Sequence, residues 1–166
     1  MPEPATDDAT SVRSTVVVDV PVERAFTVFT EDMGGWWPPE HHILEGELAE
    51  MVFEPREGGR IYDLAADGGE CRWSRVLAYE PPHRIVFTWD VSLQWQIETD
   101  PTRTSEVEVR FVPESPDRTR VELTHRHIDR HGDGWEQMHG AVGSPDGWDL
   151  GLQRFAERVR STPDPS

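Results

Sequence analysis

The sequence predicts an α+β domain in which an antiparallel sheet with one apolar face packs against a long C-terminal helix. Three observations predict it. The segments run strand, helix, six strands, helix. The strand segments alternate apolar and charged positions, as a sheet with one wet side does. The last helical segment carries a continuous apolar stripe. At 166 residues one domain suffices, and a chain of this size buries roughly 70% of its unfolded surface without a disulfide or metal staple.

Each element follows from local chemistry. Residues 12–20, with the run Val16-Val17-Val18, read as the first strand, ended by Asp19-Val20-Pro21. Pro21 suits a first helical turn and Glu23 its positive end. Ala25, Phe26, Val28 and Phe29 then share one apolar face through about Thr30. Met33-Gly34-Gly35 breaks this helix and opens an aromatic loop, Trp36-Trp37-Pro38-Pro39. Strands are expected over 49–54, 60–64, 71–79, 84–91, 105–113 and 120–128, separated by Gly-, Pro- and Asp-rich turns.

Parity along these strands assigns the inward face. Ile85, Phe87, Trp89 and Val91 share one side, and Leu93, Trp95 and Ile97 keep it if the strand continues. Val107, Val109 and Phe111 lie opposite Glu106, Glu108 and Arg110, which read as a solvated face. Val121 and Leu123 share their side with His125 and His127. Ser144-Pro145 signals the start of the final helix, whose stripe is Trp148, Leu152, Phe155 and Val159. Upstream, Trp135, Met138, His139 and Val142 form a shorter stripe at helical spacing. The polar stretches 1–11 and 161–166 read as disordered tails around a domain spanning 12–160.

The net charge of −16 and pI near 4.7 argue against nucleic acid or an anionic membrane surface as partners. All 16 basic residues are Arg. Without Lys there is no P-loop lysine and no Schiff-base anchor, and without Asn no N-glycosylation acceptor. Cys71 is the one cysteine, so no internal disulfide is expected. The first residues lack the apolar core of a signal peptide, and no stretch approaches a membrane span. The expected compartment is the cytoplasm. A homodimer is left open.

Several phrases carry a family resemblance. They are Val20-Pro21-Val22-Glu23-Arg24-Ala25-Phe26 entering the first helix, the stretch 31–37, and 76–89 with its turn Glu80-Pro81-Pro82-His83-Arg84. The strand pair within 106–127 follows, then Gly147-Trp148-Asp149-Leu150-Gly151-Leu152 opening the final helix. In this order, over about residues 12–160, the chain resembles the activator of heat shock protein 90 ATPase homologue family. That family lies in the SRPBCC, or START-like, superfamily. The resemblance implies a helix-grip (Bet v 1-like, birch-pollen-allergen) fold with seven antiparallel strands gripping the long helix and a cavity between. It implies no single function, because the fold hosts many.

The aromatic residues and inward histidines are the candidate ligand site. Trp36, Trp37, Phe87, Trp89, Trp95, Phe111, Trp135 and Met138 are expected as apolar walls, and His125 and His127 as polar contacts. A metal on His125 and His127 would need a third donor such as His139, Glu136 or Asp129; two ligands do not make a closed site, and no metal or other cofactor is expected. His41-His42 reads as a rim or solvent-exposed pair. Cys71 reads as a small buried residue. The chain has no Gly-x-Ser-x-Gly, no Gly-x-Gly-x-x-Gly and no helical metalloprotease His pair. The expected function is therefore non-catalytic binding of a small hydrophobic or amphipathic molecule (lipid-, aromatic- or polyketide-like) as a carrier or sensor. The alternatives are a polyketide cyclase-like enzyme with His125 as first base, and a stress-related or co-chaperone-like interaction module.

Overall fold

The computed structural model describes residues 10–37 and 47–161. It contains seven strands, β1 (Val12–Val18), β2 (Leu48–Phe53), β3 (Arg60–Ala65), β4 (Glu70–Glu80), β5 (Arg84–Trp89), β6 (Ser105–Ser115) and β7 (Arg118–Arg126). The helices are α1 (Val22–Glu31), α2 (Met33–Trp36), α3 (Trp135–Val142) and α4 (Trp148–Ser161). The strands form one antiparallel sheet in the order β1-β7-β6-β5-β4-β3-β2. Hairpins link β2 through β5 and β6 to β7, while the first strand pairs with the last. Register shifts in the β2–β3, β3–β4, β4–β5 and β6–β7 pairs mark bulges, which bend and twist a sheet. The architecture is the helix-grip fold expected from the sequence.

The stripe expected on the last helix is the one buried: Trp148, Leu152, Phe155 and Val159. Ser14 Oγ donates to Asp149 at 2.6 Å, fastening the start of α4 to β1. Between helices and sheet, Phe29 touches Trp36 (centroids 4.8 Å), Phe155 (5.3 Å) and Phe111 (5.5 Å), and Phe26 touches Phe111 (5.1 Å). Most of these rings meet edge-on, the preferred geometry for aromatic pairs.

Four local expectations are corrected. The stretch after α1 is not simply a loop, because Met33–Trp36 makes one further helical turn. Ser144 does not cap α4. Its hydroxyl bonds back to the Ala141 carbonyl at 2.8 Å, and α4 begins only at Trp148 after a separate turn. Gly147 sits in that turn because a Cβ would collide with the Val142 carbonyl. β5 ends at Trp89, and Val91 makes only an isolated bridge to Ile97. Lastly, Glu108 on the outer face is buried, not solvated, with Arg84 at 2.7 Å and Arg110 at 3.1 Å. Burial alone would raise its pKa, but hydrogen bonds from these two guanidiniums outweigh that and hold it below the usual range.

Candidate functional site

Two strands, one turn and the last helix bring a polar cluster into the aromatic interior. Ser105 opens β6 directly opposite Trp89 of β5, on the inward parity of Val107, Val109 and Phe111. His125 lies on β7 opposite Val107. The parity that placed His127 beside it fails one residue past the strand. His127 has φ +62°, a left-handed conformation that turns the chain into the 3-10 turn Ile128–His131. His127 is thus half-buried outside the sheet, and His131 enters the interior instead. Because glycine adopts this conformation freely, His127→Gly is expected to leave stability equal or raise it by up to about 1 kcal/mol. Urea unfolding midpoints check this; a marked loss would mean the side chain carries structure.

Ser105 Oγ lies 2.7 Å from Nε2 of His125 and 2.7 Å from Nε2 of His131, and Trp148 Nε1 donates to His125 Nδ1 at 3.1 Å. All four side chains are buried. An indole nitrogen only donates, so it makes His125 Nδ1 an acceptor and places that ring's proton on Nε2. His125 then donates to Ser105, and Ser105 donates to His131 Nε2. The remaining proton lies on His131 Nδ1, which is buried and has no hydrogen-bond partner among the described residues. Trp89 Nε1 is a second buried donor without one. Burial pushes the His125 pKa down to about 3, and the nearby His131 and His139 add to the effect. Burial also lowers His131, helped by Arg103 and opposed by Glu98 and Asp90. Both imidazoles are neutral at pH 7.

Around this relay stand four buried tryptophans. Trp37 meets Trp73 (5.2 Å) and Trp148 (5.7 Å), and Trp89 meets Trp148 (5.5 Å), Trp73 (5.6 Å) and His125 (5.3 Å). Of the residues expected at the site, Trp37, Trp89 and His125 come together here. Phe87 stands one ring further on, against Trp73 at 6.2 Å. Trp36 and Phe111 pack against Phe29 in the ring cluster between helices and sheet. Met138 is buried and Trp135 half-buried on α3, where Trp135 meets His139 edge-on. Trp95 is displaced: past the end of β5 the strand parity no longer holds, and its side chain is 45% exposed. His41 and His42 lie outside the described residues.

Sequence reasoning missed Ser105, His131, Trp73 and Trp148 as site residues. Ser105 was findable, since it shares parity with Val107 and Phe111; His131 was not, since it follows a left-handed residue. Cys71 is buried, and burial together with the Asp63 carboxylate pushes its thiol up to about 11. That is opposite to what a nucleophilic thiolate needs. Among the described residues no group of three His, Cys, Asp or Glu is disposed to hold a metal, and no helix is long and apolar enough to cross a membrane.

The family model for activator of Hsp90 ATPase homolog 1-like proteins matches residues 19–160. The chain belongs to this family. Among solved structures it is 44% identical to the anthrahydroquino-gamma-pyrone synthase Txn09, covering 95% of this chain and 99% of that one with a TM-score of 0.63. It is 26% identical to the self-sacrificing resistance protein CalC from Micromonospora echinospora, covering 94% and 97% at a TM-score of 0.67. Protein MLL2253 from Mesorhizobium loti, at 19% identity, 93% and 99% coverage and a TM-score of 0.64, shares the fold. No curated protein matches the chain.

Proposed function

We propose that this protein is an enzyme that closes an oxygen-containing ring on a planar, polycyclic, polyketide-type substrate. One observation carries the reading: a relay from Trp148 through His125 and Ser105 to His131 that ends in a buried donor with no partner among the described residues. A neutral imidazole N–H held this way is suited to polarise a carbonyl and stabilise the oxyanion that forms from it. The 44% identity to a gamma-pyrone synthase over nearly the full length of both chains supports the substrate class and the ring chemistry.

In the proposed step a phenolic oxygen of the substrate bonds to the β-carbon of an enone. The carbon–carbon π pair shifts, and the carbonyl oxygen gains negative charge against His131 Nδ1–H. The phenol proton leaves to water, and the α-carbon takes one from water. The reaction is an isomerisation and consumes no co-reactant. The indole walls hold the flat substrate and exclude bulk solvent, which strengthens the hydrogen bond at the oxyanion.

The test uses a hydroxyanthraquinone bearing an ortho-enone side chain, followed by chromatography for a product of unchanged mass. Wild-type protein is expected to accelerate closure, and Ser105→Ala and His131→Ala each to lose about 10²- to 10³-fold, with circular dichroism unchanged. A wild-type rate equal to buffer would overturn the reading. Wild-type rates in both variants would remove the relay from it. The second reading is a non-catalytic carrier of the same class of molecule, favoured by an interior filled with its own rings; binding without turnover would select it.

A further inference from the structure

The loop between β5 and β6 holds an aromatic side chain in an unfavourable backbone state at the edge of a cleft. Trp95 has φ +61°, which is rare for a bulky residue, yet its neighbours hold it there. Ser92 N donates to Gln96 O at 2.7 Å, and Trp95 N donates to Ser92 O at 2.9 Å. Ser92 Oγ accepts from Gln94 N and Gln96 N, and Val91 bridges Ile97. Five of the other tryptophans are buried and one is half-buried; Trp95 alone is exposed.

Its loop forms one wall of a cleft of about 820 Å³, with Ile97 beside it and Ala65, Gly69, Cys71 and Arg72 opposite. The volume lies in the range of small-molecule sites. Two residues along β4 from Cys71 is Trp73, which meets Trp89, which meets His125. The cleft therefore lies at the outer end of a row of indoles that reaches the relay.

We infer that this cleft is a binding site for a planar polycyclic aromatic molecule, with the Trp95 indole as its stacking platform. The inference rests on the ring-closing reading for the substrate class, but not for the site itself. An indole offers a broad flat surface with little rotamer freedom to lose, so a fixed Trp95 captures a flat ligand at low entropic cost. A backbone strain kept at an exposed aromatic residue has no packing benefit, and ligand stacking is a gain that offsets it.

The experiment is a calorimetric titration of 1,8-dihydroxyanthraquinone into wild-type protein, Trp95→Gly and Trp95→Tyr. Glycine adopts positive φ freely, so W95G is expected to melt at or above the wild-type temperature while binding the probe roughly tenfold more weakly. W95Y keeps a flat ring and is expected to bind within about threefold of wild type. Should W95G melt lower, Trp95→Asn, which also tolerates the left-handed region, takes its place. Equal affinity in wild type and the glycine or asparagine variant would overturn the cleft assignment and leave the ring-closing reading standing. Failure of the wild type to bind the probe would overturn the cleft as a planar-aromatic site. The ring-closing reading fails separately, when the wild type does not accelerate closure of the enone substrate.

Discussion

Below pH 6.5 the protein is expected to lose stability steadily, and His125 is the main cause. The folded state keeps this imidazole neutral down to about pH 3, whereas an unfolded chain protonates it near 6.5. A His whose folded pKa is depressed contributes its full stability above the unfolded value. As the pH falls the unfolded state binds a proton that the folded state refuses, at about 1.4 kcal/mol per pH unit. From pH 6.5 to 4.5 His125 alone accounts for about 2 kcal/mol, because at pH 6.5 the unfolded imidazole is already half protonated. His131, shifted in the same direction, adds to it. Carboxylates stay mostly ionised above about pH 5.5, so the upper half of this window reports chiefly on the histidines. Urea unfolding across it would show the slope, and His125→Gln, which keeps a donor and an acceptor but cannot titrate, should remove His125's share. An unchanged slope in that variant would assign the acid sensitivity elsewhere.

Phe29→Ala is expected to cost about 3–5 kcal/mol, a large fraction of the stability of an ordinary domain. Phe29 is fully buried and its ring contacts Trp36 of α2, Phe111 of β6 and Phe155 of α4. Truncation would leave three large rigid rings around a void, and rings collapse into space less readily than aliphatic chains do. Urea midpoints at pH 7.5, where the histidine effect is absent, measure the loss. A cost below about 1 kcal/mol would mean that α1 and α2 re-seat against the sheet.

The fold was legible because it rests on periodicity. The i, i+4, i+7, i+11 stripe from Trp148 to Val159 and the alternation through Phe87 and Phe111 both survive in the structure. The site was legible only while a strand continued. His125 and Trp89 were reached because they sit inside β7 and β5, but the chain departs from strand geometry right after each. Beyond those points Trp95 and His127 adopt positive φ, and parity arguments carry no information across such a residue. His131, seated through that reversal, has no local signature. Nor does any local pattern show that Trp148 donates to His125, since that bond joins residues from opposite layers of the fold.

The pairing of β1 with β7 has a kinetic consequence. The partner of Val16 is Val121, and that of Val12 is His125, more than a hundred positions away. As the chain leaves the ribosome, its β-branched N-terminal strand must wait for β7 before its backbone groups find their ladder. The hairpins from β2 to β5 can form meanwhile from local contacts. Closing the loop from β1 to β7 is the entropically expensive step, so folding should be slow relative to that of a helical bundle of similar size. During that interval the unpaired Val16-Val17-Val18 edge is the segment most exposed to pairing with another chain.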